Sequence, residues 1–441
     1  MKGVSSLGRP GSHPDDRAIF ALALPALAAL AADPLYSLAD TAFVGRLGTP
    51  QLGALAIGSA AFTASFWVFS FLAYGVTPRV ARAVGSSDPA AASRTGVQAL
   101  FLAVVLGTSV TLAGVFLAPQ VVRLLGGAGE VYEHAVPYLR IRMLAAVPVL
   151  ISQVGHGWLR GAQDIRTPMF VAGGGALLNV VLDYTFIYPL GWGVAGAAWA
   201  TVAGQSIAAV IFLAILRRRM WRPRWRFDAG EARSLMVVGM ELAVRTGSLL
   251  AAMTFATSAA ARMGTVPLAA WQIAMQIFLL LSFTLDSIAI AGQALVGRHL
   301  GAGDPERARL VSFRLLGLGL ALGIVLLCAL LVAPRLLAGI FTRDAEVVTA
   351  AAGLLVWLAL IQPLSAVAFT LDGILLGASD TRFLAVSMMA ASLLYAAGAS
   401  GAAAFGWGIA GLAAAATLWL LARTLTTGWR FLGGRWQTAR V

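Results

Sequence analysis

Charge is scarce in this chain. Only 12% of its 441 residues are Asp, Glu, Lys or Arg, while 59% are apolar. A soluble chain usually carries about a quarter charged residues, so this one has too little polar surface to cover itself in water. Its mean hydropathy of +0.83 agrees. Lysine occurs once, at Lys2, and cysteine once, at Cys328. A single cysteine excludes a disulfide framework and a thiolate metal site. Its apolar surroundings predict an inert, packed thiol. A phosphate loop is also missing: Gly173–Gly175 is followed by no Lys-Ser or Lys-Thr, and close helix packing is the expected role of those glycines.

The charge that exists is mostly arginine and gives a net +13. It lies in breaks between apolar stretches, most densely at Arg217, Arg218, Arg219, Arg222, Arg224 and Arg226. That placement argues against nucleic-acid binding and for the cytoplasmic side of a membrane protein facing anionic lipid.

Apolar helical stretches are predicted at about 17–45, 52–82, 92–119, 131–159, 167–190 and 194–217. A second set falls at about 233–262, 267–298, 308–333, 346–376, 382–405 and 409–431. The first resembles a signal-peptide core over 18–32. It runs on past Asp33, however, and follows Asp15 and Asp16, so it is read as a span. Aromatic pairs near span ends, such as Trp192 and Trp407 or Trp429 and Trp436, suggest interfacial rings. Arginine is concentrated in alternate breaks, which predicts both termini in the cytoplasm and an even number of spans. Twelve fits.

The chain repeats itself. LGTPQLGALAI from Leu47 aligns with MGTVPLAAWQI from Met263, an offset of 216. GSSDPAAA from Gly85 and GAGDPERA from Gly301 share that offset, as do GAQDIR from Gly161 and GASDTR from Gly377. GWGVAGAA from Gly191 and GWGIAGLA from Gly406 are 215 apart. The expected architecture is all-α and integral to the membrane: twelve transmembrane helices as two pseudo-symmetric six-helix bundles around a central cleft. The expected divisions are a cytoplasmic tail over 1–16, an N-lobe over 17–217, a basic loop over 218–232, a C-lobe over 233–431 and a cytoplasmic tail over 432–441.

Ionisable groups inside apolar spans are costly and mark candidate sites. They are Asp33, Asp40, His156, Asp183, Glu241, Arg245, Asp286 and Asp372. At the repeat offset, Asp40, Asn179 and Asp183 meet Ala256, Tyr395 and Ala399. A group that only held the scaffold would be expected in both copies, so these three point to function. Asn179 and Asp183 are one turn apart, and Tyr36 precedes Asp40 by one turn. With Thr201, such a set suits uptake of a proton or of Na⁺. Glu241 and Arg245 are spaced to pair on one helix, Asp286 and Asp372 are secondary cleft candidates, and His156 matches Asp372 across the repeat. Pro25 and Pro34 suggest a bendable first helix.

With these residues in place the sequence resembles the multidrug and toxic compound extrusion (MATE) family, in its DinF-like branch. The carrying motifs are LADTAFVGRLG around Asp40, GWLRGAQDIRTPM around Gly161 and ALLNVVLDYTFIYPLGWGVAGAAWAT from Ala176 to Thr201. The resemblance implies export of small organic compounds, mostly cationic and amphipathic, in exchange for H⁺ or Na⁺. It implies a coupling site at Asp40, Asn179, Asp183 and Thr201, with Tyr36, Tyr138 and His156 around the same cavity. Asp33, two turns before Asp40, is a further cavity-lining candidate by its spacing, and it and His156 stand where the family pattern has uncharged polar side chains. The acids of the family's NorM branch fall on Leu249 and Ser365, so that site is absent. No cofactor or metal is expected, and no enzymatic activity. The implied partners are a small organic substrate, membrane lipid and the coupling ion, with a monomer in the plasma (inner) membrane. A flippase of lipid-linked precursors shares the architecture but calls for a strongly basic cleft; arginines kept in loops and acids kept in spans favour cationic cargo. A membrane-embedded aspartyl protease using Asp40 and Asp183 lacks the glycine-flanked setting such sites show.

Overall fold

The computed structural model describes residues 14–67, 71–221 and 225–438. The described residues form helices and no strands. In chain order these are α1 (Pro14–Gly45), α2 (Thr49–Trp67), α3 (Phe71–Gly85), α4 (Pro89–Leu124), α5 (Gly129–Met143), α6 (Ala146–Gly161), α7 (Arg166–Ile187) and α8 (Gly193–Arg219). They continue as α9 (Ala229–Met263), α10 (Thr265–Gly301), α11 (Pro305–Val332), α12 (Pro334–Phe341), α13 (Ala345–Gly377), α14 (Thr381–Ala404) and α15 (Gly408–Leu432). In hydrocarbon every backbone N–H and C=O needs an internal partner, which an unbroken helix supplies.

Ten of these helices are long and apolar enough to cross a membrane, and α5 with α6 makes an eleventh span if counted as one, bent by 47°. Pro148 lies in the first turn of α6 and has no N–H for the carbonyl of Leu144, which accounts for the break. The remaining expected span, 52–82, appears as α2 and α3 on either side of residues 68–70, outside the described set. α1 runs through Pro25 and Pro34 as one helix.

The chain makes two compact units. One joins the described residues through Leu27 to those from Glu241 onward; the other is Ala28–Met240. The division thus falls inside α1 and α9, whereas the lobes read from the sequence meet in the basic loop. We use N-lobe for 28–240 and C-lobe for the other unit. In the C-lobe, the first turn of α1 is clamped to α11: Asp16 takes Arg314 at 2.5 and 2.6 Å, and Asp15 takes Arg307 at 2.5 Å. In the N-lobe, the start of α9 is held in kind. Glu231, the repeat counterpart of Asp15, accepts from Thr95 of α4 at 3.1 Å. Ser234 accepts from Arg79 of α3 at 2.7 Å.

Matched repeat segments build matched joints. Asp88 and Asp304 cap the first turns of α4 and α11, each accepting a backbone N–H at 2.8 Å. A residue with positive φ precedes each cap, Ser87 (57°) in one copy and Gly303 (73°) in the other. Asp164 and Asp380 each take an arginine from the last turn of their own copy's final helix, Arg219 at 3.1 Å and Arg430 at 2.6 Å.

Helix contact repeats as well. A Cβ on Gly157 of α6 would lie 2.7 Å from the Ala73 carbonyl oxygen on α3, and one on Gly373 of α13 would lie 2.4 Å from that of Ala289 on α10. Gly161 meets Thr77 and Gly377 meets Gln293 in the same way, at 2.6 and 2.7 Å. Every member of the second set stands 216 residues after its counterpart. Small residues that let backbones touch are the main device for packing helices in lipid.

Three expectations change. A Cβ on Gly173, Gly174 or Gly175 meets nothing within 4 Å, so these glycines make no close helix contact. Cys328 is exposed on α11 rather than packed, because the outer face of a span needs only lipid against it. Trp436 is fully buried and donates to the Phe431 carbonyl at 2.8 Å, so it is not an interfacial ring; the chain after α15 folds back on it as a short 3₁₀ turn.

Candidate functional site

The N-lobe brings three of the four expected coupling residues together directly. Asp40 on α1 and Asp183 on α7 face each other within hydrogen-bond reach. Asn179, one turn before Asp183, bridges them. In the amide orientation that satisfies both ends, its Nδ2 donates to Asp40 Oδ1 at 3.1 Å and to Asp183 Oδ2 at 2.9 Å. All three are buried, Asp183 completely. Asp183 Oδ1 is enclosed without a hydrogen-bond partner.

Two full charges this close would repel in a low dielectric, so the pair has the chemistry to share one proton. α1 is fixed against α7 next to Asp40: Tyr188 donates to the Phe43 carbonyl at 2.9 Å and its ring packs edge-on against Phe43.

Thr201 on α8 enters through a residue the sequence reading did not single out. Arg142 of α5, only 6% exposed, donates from Nη1 to Thr201 Oγ1 at 2.5 Å and lies over the Phe62 ring at 4.7 Å. Its charge is within electrostatic reach of both Asp40 and Asp183. The signal was present, because Arg142 stands well inside the apolar stretch 131–159. Tyr138, one turn before it, is fully buried and hydrogen-bonded to Ser59 at 3.2 Å. Gly58 makes room for that ring, since a Cβ there would lie 2.2 Å from it.

Other candidates separate from this cluster. The structure packs His156 against Phe212 at 4.8 Å, with its Nδ1 buried and unpartnered. The side chains of Asp33 and Tyr36 lie outside the described residues. In the C-lobe the expected Glu241–Arg245 pair is drawn outward to other helices: Glu241 accepts from Thr381 of α14, and Arg245 bonds Asp372 of α13 at 2.5 Å. Asp372 also takes Arg423 of α15 at 2.6 Å, a second buried arginine inside an apolar stretch that sequence reading passed over. Asp372 is therefore covered by two cations, which argues against its binding another. Asp286 is half-buried on α10.

The repeat explains why the N-lobe cluster has no twin. The counterparts of Asp40, Arg142, Asn179 and Asp183 are Ala256, Leu358, Tyr395 and Ala399, and all four belong to one apolar core. Tyr395 stacks on Trp419 with ring centres 5.6 Å apart. Oil fills in one copy the place that acid occupies in the other.

Comparison with known proteins agrees with this arrangement. The MatE family model matches residues 25–185 and 246–399. Protein DETOXIFICATION 44, chloroplastic, from Arabidopsis thaliana is 33% identical over 97% of this chain and 84% of its own length. DNA damage-inducible protein F of Escherichia coli (strain K12) is 30% identical over 86% of this chain and 84% of its own length. A crystal structure of a MATE protein in the bent conformation superposes with a TM-score of 0.87 at 23% identity, covering 96% of this chain and 95% of the other. The chain belongs to the multidrug and toxic compound extrusion family of membrane transporters.

Proposed function

We propose that the protein is a secondary active antiporter that exports small organic compounds in exchange for H⁺, with Asp40, Asn179 and Asp183 as the coupling site and alternating access of the two lobes as the transport cycle. The observation that carries this reading is the pair of facing carboxyls bridged by one amide. Such a pair has two states, proton shared or proton lost. Loss leaves adjacent negative charges that must be separated, neutralised or hydrated, so protonation is linked to the local helix arrangement.

Na⁺ is the competing ion. Arg142 speaks against it, because a cation held by Asp40, Asn179, Asp183 and Thr201 would lie beside a fixed guanidinium. The expectation of cationic cargo rested on the family resemblance, on acids in the spans and on arginines kept to loops. Arg142, Arg245 and Arg423 are within the helices, so the last of these grounds falls away and the proposal does not restrict cargo to cations. The chain is proposed to work as a monomer in the plasma membrane, with both termini in the cytoplasm.

The test is efflux from liposomes containing the purified protein, loaded in parallel with a fluorescent organic cation and a fluorescent organic anion. An imposed pH gradient should drive efflux, and D40N and D183N should each abolish it while eluting as folded protein. Full efflux in both variants would overturn the coupling site.

A further inference from the structure

We propose that the N-lobe binds a small organic ammonium ion in a cavity of about 390 Å³ where the starts of α2, α5 and α8 meet. Its lining includes Gln51 of α2, Glu133, His134 and Pro137 of α5, and Trp192, which precedes α8. The volume lies in the range of small-molecule sites. Among the described residues no arginine lines the cavity, and Glu133 is its one carboxylate. Glu133 is exposed and makes no hydrogen bond or ion pair among the described residues. Gln51 turns its Nε2 to His134 Nε2 at 3.4 Å, which leaves its Oε1 enclosed without a donor. The amide NH₂ can only donate in that contact, so the imidazole accepts. An ammonium group brings what this set lacks, positive charge and N–H donors.

The aromatic wall is held in place. Gly191 and Gly193, with φ of 68° and 56°, let the chain turn on both sides of Trp192. The Trp192 ring is 48% exposed and rests against Phe186 with centres 5.0 Å apart. An exposed indole beside a carboxylate suits an organic cation, held by ring and acid together. The first turn of α8 also lines the cavity and opposes this with about half an elementary charge. Glu133 carries a whole one, so the balance favours a cation.

The repeat separates scaffold from site. At the 216 offset Gln51, Glu133 and His134 meet Pro267, Thr349 and Ala350, while Trp192 meets Trp407 at 215. The ring therefore belongs to the shared joint and the polar groups to the N-lobe alone, as with Asp40, Asn179 and Asp183. Ser59, Arg142 and Thr201 each follow Gln51, His134 and Gly193 by eight residues, about 12 Å along their helices. Buried apolar residues, Leu55 and Val194 among them, pack with Tyr138 on these same helices. The cavity is thus distinct from the coupling cluster.

The site does not depend on the antiport reading and is tested by binding. Tryptamine and indole-3-propionate share a flat body and carry opposite charges; each is titrated calorimetrically into the purified full chain at neutral pH. Tryptamine should bind and indole-3-propionate should not. E133Q should weaken tryptamine about fivefold, the upper end for an ion pair open to water. W192L should weaken it by about as much through loss of the cation–π contact. E130Q removes an exposed acid outside the lining and should bind as the unmodified protein does. D40N should also bind unchanged, which separates this site from the coupling site. Binding that E133Q or W192L leaves intact, equal losses in E133Q and E130Q, a loss in D40N, preference for the propionate, or no tryptamine binding would each overturn the proposal.

Discussion

The Arg142 guanidinium donates to the Thr201 hydroxyl at 2.5 Å and so engages an oxygen that a sodium site would use. Two unit charges about 4 Å apart at an effective dielectric near 20 repel by about 4 kcal/mol, roughly a thousandfold in affinity. An imposed Na⁺ gradient at equal pH is therefore expected to drive no efflux from liposomes. R142Q removes the repelling charge and releases Thr201, and is expected to make efflux respond to Na⁺. Sodium-driven efflux by the unmodified protein would contradict this account.

Packing at the repeated glycines gives a second expectation. G373A puts a methyl group against the backbone of Ala289, where neither helix can yield cheaply. The cost should be about 1–3 kcal/mol, the usual range for overpacking. G174A meets nothing within 4 Å, so the better helix propensity of alanine should leave it neutral or more stable by up to about 1 kcal/mol. Thermal unfolding of both variants in one detergent decides the matter, and equal shifts would refute the contact.

The two acids at the start of α1 should differ in weight. Asp16 is fully buried against Arg314, which is itself 10% exposed, whereas Asp15 pairs with an Arg307 that is 39% exposed. Breaking a buried pair costs about 3–5 kcal/mol, and a pair whose arginine is open to solvent costs less. D16N should lower the unfolding temperature clearly and D15N only slightly. If the order were reversed, the clamp on α11 would not be what anchors this helix.

Much of this was legible in the sequence. The 216-residue offset pairs Gly157 with Gly373 and Asp88 with Asp304, and the structure uses each pair alike because backbone contact and helix capping depend on residue type at a fixed register. Asp40, Asn179 and Asp183 were found by asking which polar residues the second copy lacks. Arg142 and Arg423 also stand inside apolar stretches, but the sequence does not say that Thr201 and Asp372 on other helices receive them. The exchange of Arg245 from Glu241 to Asp372 was not readable, because helix spacing reports neighbours on one helix and says nothing of the helix packed across from it. Likewise Gly173–Gly175 reads as a packing motif in one dimension, yet which face meets another helix is decided in three.

The proposed shared proton is open to direct observation. Infrared difference spectra of the purified protein, recorded as pH is raised, report loss of the carbonyl stretch of a protonated carboxyl group. The account predicts such a band in the unmodified protein and its absence from both D40N and D183N, because either substitution removes one wall of the site. A band that survives unchanged in both variants, or that the unmodified protein lacks, would contradict a proton held between Asp40 and Asp183.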